Sequence, residues 1–386
     1  MTDRSTDTTP STFALPSTQG ILVLNSGSSS LKFGVFTPVG GDETAWLTGS
    51  AKGIGRGDGS LTMRSLDGTI DIRQSHVMES QHEALQRVAD ALHQHLDRPL
   101  VAAGHRVVHG GPHLTTHVRI TDEVKQTLRD AIPFAPLHLP PALDLLDEAQ
   151  QIFGDIPHYA CLDTAFHQTM PERATRLALP KHYATEGVVR YGFHGLSYES
   201  IVSSLGQDLP ARLVVAHLGS GASVCAIRDG RSIDTTMGLT PTGGIPMATR
   251  TGDLDPGVLV YLMRTGSLDA DALEHLINYE SGLKGVSDSN DDMQALAARD
   301  DPDATLAVDM FCTAVRKAIG AYAALMGGVD LVVFTGGIGE HAGSLRERIS
   351  SGLEFLGGRF RVIETQEERQ IARHSRKMYG GPAVGG

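Results

Sequence analysis

The chain has 386 residues, length enough for two or three domains around a sizeable core. Its 33 Lys and Arg against 45 Asp and Glu leave a net charge of −12, which argues against a broad nucleic-acid footprint or an anionic membrane surface. The three cysteines, Cys161, Cys225 and Cys312, are far apart and form no C-x-x-C pair, so reduced thiols in a cytoplasmic setting are expected rather than disulfides or a cysteine zinc site.

Residues 1–19 are rich in Ser, Thr, Asp and Pro, lack a basic start and an apolar stretch, and read as a disordered tail rather than a signal peptide. No later apolar run approaches the length of a membrane span. Ile21-Leu22-Val23-Leu24 reads as a buried strand entering the turn Asn25-Ser26-Gly27-Ser28-Ser29-Ser30-Leu31-Lys32, whose backbone N–H groups, hydroxyls and lysine suit a phosphate chain. The spacing of the common P-loop is absent, and a serine-rich hairpin explains this segment alone about as well. The same strand-then-glycine pattern returns at 213–223 and at 331–340, and three copies in two halves suggest a duplicated nucleotide-binding architecture.

Between them, Leu85, Val88, Leu92 and Leu96 recur at helical spacing, as do Val124, Leu128 and Ile132. Residues 306–326 form a long apolar helical pattern that Gly327-Gly328 would end. Pro133, Pro136, Pro140 and Pro141 predict a rigid loop around 134–139. Strands and helices mixed in this way indicate an α/β protein.

Four segments carry chemistry. In His105-Arg106-Val107-Val108-His109-Gly110-Gly111 the arginine suits a carboxylate or phosphate, or else a structural ion pair. His105, His109 and His113 are spaced like metal ligands on a helix, but Val107-Val108 favours a strand and Gly110-Gly111-Pro112 would end a helix, which weakens a zinc reading. Asp163 follows a short strand, where α/β active sites gather. In Tyr191-Gly192-Phe193-His194-Gly195 the flanking glycines permit close approach of a ligand, with a buried structural histidine as the competing reading. Thr249-Arg250-Thr251-Gly252-Asp253 adds a second arginine just before a helix start capped by Asp255 with Pro256 at its first position.

Taken together and in this order, Asn25–Phe33, His105–Gly111, Ala135-Pro136-Leu137-His138, Asp163–His167, Tyr191–Gly195 and Thr249–Asp253 resemble the acetate kinase family. The resemblance runs from Gly20 to about Arg373. It implies two duplicated actin-like ATPase (ribonuclease H-like) domains with a cleft between them, one formed by 20–165 plus 373–386 and the other by 166–372. It implies direct in-line transfer of the ATP γ-phosphoryl group to acetate, with Mg²⁺ (or Mn²⁺) as cofactor and a homodimeric assembly. Residue by residue, Asn25 and Glu367 would hold the metal and Lys32 would meet the nucleotide phosphates. Arg106 would bind the carboxylate, with Val108, Leu137, Phe193 and Pro241 around its alkyl group. His194, Arg250 and His138 would attend the transferring phosphoryl group, with Asp163 as the family's catalytic acid. His217, Leu218, Gly219, Ser220, Gly221, Asp292, Met293, Gln294, Gly337, Ile338, Gly339, Glu340 and His341 would surround the nucleotide.

The chain departs from the family pattern at Ser220, where asparagine is usual, at Gln294, where arginine is common, at His341 in place of a frequent asparagine, and across 242–248. These changes bear on nucleotide preference rather than on phosphoryl transfer. The rival readings are a propionate or butyrate kinase of the same fold, a nucleotide-driven clamp, for which no peptide-binding module is recognisable, and a non-catalytic nucleotide sensor.

Overall fold

The computed structural model describes residues 19–27, 29–266 and 268–380; the expected tail lies, apart from Gln19, outside them. Among the described residues, thirteen strands build two sheets. The first sheet uses β1 (Gly20–Gly27), β2 (Ser30–Val39), β3 (Asp42–Lys52), β4 (Ser60–Ser65), β5 (Asp71–Ser75), β6 (Leu100–Val107), β7 (Val118–Arg119) and β8 (His158–Leu162), ordered β5-β4-β3-β2-β1-β6-β8-β7. The second uses β9 (Arg212–Leu218), β10 (Ala222–Arg228), β11 (Arg231–Thr235), β12 (Leu331–Thr335) and β13 (Arg359–Val362), ordered β11-β10-β9-β12-β13.

The duplication is explicit in the pairing. β1-β2-β3 is an antiparallel meander with β6 and then β8 added parallel to β1. β9-β10-β11 repeats that meander, with β12 and then β13 added parallel to β9. This is the duplicated arrangement that the three strand-then-glycine segments predict, and the actin-like one that the family resemblance implies. All three glycine-rich segments follow the expected strands, but the first returns directly as β2, with Asn25 opposite Lys32.

Both sheets are covered on both faces, which is why their central strands read as continuous apolar runs rather than alternating ones. Leu22 and Leu24 of β1 face Leu85, Val88 and Leu92 of the helix Gln81–His95, while Ile21 and Val23 join Leu196, Ile371 and Ala372 on the other side. In the second sheet Val214 and Ala216 pack with Phe311, Val315 and Ile319 of the helix Pro302–Met326, and Leu213 and Val215 with Tyr198, Ile201 and Leu205. The helix Gly195–Leu205 therefore touches both sheets, giving Leu196 to one core and Tyr198 to the other. The chain then returns to the first sheet through the helix Glu367–Gly380. Its close approach needs Gly104, where an added Cβ would lie 2.3 Å from the Ser375 hydroxyl.

Local readings fare well where the signal is a cap. Asp255 accepts from the Gly257 N–H ahead of the helix Pro256–Thr265, and Gly327 ends the long helix at φ 70°. The proline loop is shorter than expected: a helix starts at Leu139, because Pro140 and Pro141 occupy its first turn, where no N–H partner is needed. The second periodic segment is likewise split, since the helix Asp122–Asp130 ends before Ile132 and a 3₁₀ turn, Ile132–Phe134, follows. The three cysteines are free and buried.

Candidate active site

Parallel pairing puts the C-terminal ends of β1, β6 and β8 at one edge of the first sheet, where α/β proteins place their sites. Arg106 stands near the end of β6 and Asp163 immediately follows β8, with the Asp163 N–H donating to the Val107 carbonyl. The Arg106 Nε donates to both Asp163 oxygens at 3.1 and 3.0 Å, and its Nη2 to Oδ2 at 2.5 Å. Burial opposes the Arg106 charge, yet Asp163 and then Glu367 hold the guanidinium more firmly protonated than usual. Burial pushes the Asp163 carboxyl upward against the pull of Arg106. A fork held on one side in this way leaves Nη1 as the free end.

Asn25 on β1 donates from its amide to Glu367 at 3.2 Å and to Glu368 at 2.8 Å, at the start of the C-terminal helix. Lys32, opposite Asn25, reaches Glu368 at 3.9 Å and is otherwise half exposed. Burial works against ionised Glu367, but Arg106, His217 and Lys32 together bring its carboxyl below the ordinary range. Two carboxylates and an amide oxygen are hard donors of the kind Mg²⁺ takes, so the residues present fit that ion.

Arg250 arrives from the second half. Its Nη1 donates to the Pro241 carbonyl at 3.2 Å and its Nη2 lies 3.3 Å from His138 Nε2. Burial, then Arg250 and Arg106, lower the His138 ring to about 4, so it is neutral. Burial and, behind it, the charge of Arg106 also depress Arg250 itself. His194 sits in the left-handed region at φ 59°, a strained conformation costing on the order of 1 kcal/mol or more for a non-glycine residue. Gly195 holds it there: the Gly195 N–H donates to the Asp163 carbonyl, and an added Cβ would lie 2.2 Å from that oxygen. A Cβ at Gly221 would come within 3.4 Å of His194 Nε2 and 3.6 Å of Arg250 Nη1, so ring and guanidinium meet at this turn.

The alkyl-group residues are partly gathered. Val108, just past β6, packs against the second sheet's core, which includes the buried Phe193. Pro241 is buried and held to Arg250, and Leu137 adjoins His138.

Beside this gap lies a hollow of 680 Å³, the size of small-molecule sites. Of the expected nucleotide residues, Gly219, Ser220, Asp292, Met293, Gln294, Gly337, Ile338 and His341 line it. Leu218 and Gly339 are buried in the supporting core, while Gly221 and His217 belong to the neighbouring gap. The Glu340 carboxylate is engaged locally, accepting from the Gly336 and Thr365 N–H groups at 2.9 and 3.0 Å. Ala248, Leu283, Ala297, Ala298 and Ser344 also line the hollow and carry no sequence signal. Sequence reasoning also passed over Ser197, Tyr198, Ser223 and Thr365, whose hydroxyls lie behind the two cleft histidines. Ser223 was open to detection: a hairpin through the 218–222 turn pairs it with His217.

His105, His109 and His113 do not converge. His105 instead pairs with His158 at 2.8 Å across β6 and β8, because extended chain sets residues four apart at about 13 Å and β6 ends at Val107, before His109.

Two α/β halves with guanidinium groups converging beside a nucleotide-sized hollow define a phosphoryl-transfer enzyme. The acetokinase family profile matches residues 20–377, and the chain belongs to that family. It is 40% identical to the acetate kinase of Methylocella silvestris, over 92% of this chain and 96% of the relative. Among solved structures it is similar to the acetate kinase of Porphyromonas gingivalis (TM-score 0.79, 34% identity) and to a propionate kinase of Francisella tularensis (TM-score 0.85, 34% identity). In both cases 93% of this chain and 99% of the other are covered.

Proposed function

We propose that the protein catalyses the reversible reaction ATP + acetate ⇌ ADP + acetyl phosphate by direct in-line transfer. The observation that carries this reading is geometric: Arg250 of the second half lies 3.3 Å from His138 of the first and meets His194 at the Gly221 turn, beside the 680 Å³ hollow. A carboxylate is ionised at neutral pH, so its attacking oxygen needs no general base. The difficulty is repulsion between two anions, and the response is positioning and charge neutralisation around a loose transition state.

Arg106, gripped by Asp163, presents its free end to the acetate carboxylate, with Val108, Leu137, Phe193 and Pro241 around the methyl group. Arg250 and His194 stabilise the transferring phosphoryl group, and neutral His138 orients Arg250 without adding a competing charge. Lys32 meets the phosphates, and the hollow takes the nucleoside. Mg²⁺ (or Mn²⁺), held by Asn25 and Glu367, would supply neutralisation of the phosphate charge. Closure of the lobes formed by 20–165 with 373–386 and by 166–372 excludes water from the gap. Among the described residues no helix is long and apolar enough to cross a membrane. Trapping the acyl phosphate with hydroxylamine tests the reaction: acetyl hydroxamate must accumulate only with ATP, a divalent metal and acetate present.

Propionate is the second candidate acceptor, favoured by the similarity to a propionate kinase. One methylene in an apolar pocket discriminates by about 1–3 kcal/mol, so kcat/KM across acetate, propionate and butyrate decides between them. The protein acts as a homodimer in this reading. The helix Pro256–Thr265 buries no side chain, and Val258, Val260, Tyr261 and Met263 are exposed apolar side chains distributed around it, which a second copy would cover. The variant Tyr261→Glu is expected to elute as a monomer in size-exclusion chromatography where the wild type elutes as a dimer.

A further inference from the structure

Two imidazoles, His194 and His217, stack in the cleft with ring centroids 4.3 Å apart and planes 24° from parallel. A neutral histidine has one N–H and one lone pair, and which nitrogen carries the proton is set by the group on the other side of the ring. For a residue facing a phosphoryl oxygen this choice decides between attraction and repulsion. Behind each ring stands a pair of hydroxyls from the second half.

Behind His194, the Ser223 hydroxyl lies 2.9 Å from Nδ1, and the fully buried Tyr198 hydroxyl contacts the same Ser223 oxygen. The phenol is the stronger donor of the two hydroxyls. If Tyr198 gives its proton to Ser223, then Ser223 gives its own to His194 Nδ1, and every proton is used. In the opposite direction Ser223 would donate to Tyr198 and Tyr198 onward to Thr235, whose own proton goes to the Val224 carbonyl, so the weaker acid would be donating to the stronger. Behind His217 the direction is fixed more firmly. Thr365 donates to the Ser197 oxygen at 2.8 Å, so the Ser197 proton is free for His217 Nδ1, also at 2.8 Å.

We propose that Tyr198–Ser223 and Thr365–Ser197 are positioning relays that hold His194 and His217 as Nε2–H tautomers, so that His194 meets the transferring phosphoryl group as a hydrogen-bond donor. The proposal rests on the phosphoryl-transfer reading above and deepens it. Geometry places His194 Nε2 at the Gly221 turn beside Arg250 Nη1. With the proton on Nε2, ring and guanidinium both donate toward the same point. With the proton on Nδ1, a lone pair would face the phosphoryl oxygens. Burial, and after it His217, Arg106 and Arg250, keep His194 far below its usual range, so the ring stays neutral and the tautomer is the variable left to set.

The test reads the tautomer without turnover. In protein labelled with ¹⁵N-histidine, long-range ¹H–¹⁵N spectra are expected to show Nε2–H at both rings, assigned through His194→Gln and His217→Gln. Ser223→Ala should shift His194 toward the Nδ1–H form and lower kcat by about 10- to 100-fold, while KM for acetate and for ATP stays within about threefold. Ser223→Thr should restore both readouts, and Tyr198→Phe should move both in the same direction by less. A wild-type His194 spectrum of the Nδ1–H form overturns the proposal, as does an unchanged spectrum in Ser223→Ala. Absence of acetyl hydroxamate from the wild type overturns the reading of the reaction instead, since the tautomer is observed independently.

Discussion

The two halves share one topology and use it differently. In the first, the hairpin β1–β2 and the ends of β6 and β8 project the charged Lys32, Arg106 and Asp163 and the amide of Asn25, with Glu367 brought alongside. In the second, the equivalent hairpin β9–β10 projects a turn of Gly219, Ser220 and Gly221, and the end of β12 runs into Gly336 and Gly337. The first half supplies charge and the second supplies space and backbone. Arg250 is the main exception, reaching from the second half into the charged gap, where Glu367 from the end of that half accompanies it.

Removing that exception is the strongest way to break the comparison. Arg250→Ala is expected to lower kcat by roughly two to three orders of magnitude, the effect of deleting one preorganised donor. Steady-state rates at saturating ATP and acetate check it, and near-normal turnover would take Arg250 out of the gap. Arg106→Ala is expected to act on binding, raising KM for acetate by roughly 10- to 100-fold, the size of a lost charged hydrogen bond. An unchanged KM for acetate would leave Arg106 as a structural partner of Asp163 only.

The same division explains what was legible in the sequence. Arginines beside glycines or at strand ends are conspicuous, so Arg106, Asp163, His194 and Arg250 stand out before any coordinates are seen. Ala297 and Ala298 cannot stand out, because an alanine that lines a hollow and one on an ordinary helix look alike. Glu340 shows the reverse: next to a glycine turn it reads as a ligand contact, whereas its Oε1 accepts from two backbone N–H groups. The relay hydroxyls were hidden for a third reason, since Thr365 meets Ser197 across 168 positions of sequence. Strand runs and helix caps were readable because they are local. Helix starts near Pro140 and the return of the C-terminal helix onto β6 depend on partners far along the chain.

Acid should also bear on the first half. His105 and His158 are buried inside the first sheet, His158 donating to the Phe153 carbonyl and receiving from His105. Burial, then His158, lowers His105 to about 3 from a usual 6.5, and burial lowers His158 too. The unfolded chain therefore binds more protons below pH 6.5, so stability is full above that value and falls as pH drops toward 3. His105 alone should cost on the order of 2 kcal/mol by pH 5. The expected outcome is a melting temperature that declines below pH 6.5, and less steeply in the variant His105→Gln. An equal slope in the variant would remove the His105–His158 pair as a cause.

The gentlest probe addresses the uncharged half. Ala297 ends the short helix Met293–Ala297 and is exposed into the hollow, so a larger side chain there meets empty space rather than a packed core. Ala297→Leu should therefore fold normally and reduce only the room available to the nucleoside. Filling a hollow whose contribution is shape lowers ground-state and transition-state binding together, which raises KM while leaving kcat alone. The expected result is KM for ATP raised by at most about tenfold, about 1.4 kcal/mol, with kcat and KM for acetate within about twofold of the wild type. A fall in kcat of the size expected for Arg250→Ala would mean that the hollow helps to align the phosphates, and the division between a charged half and a shaped half would then fail at this point.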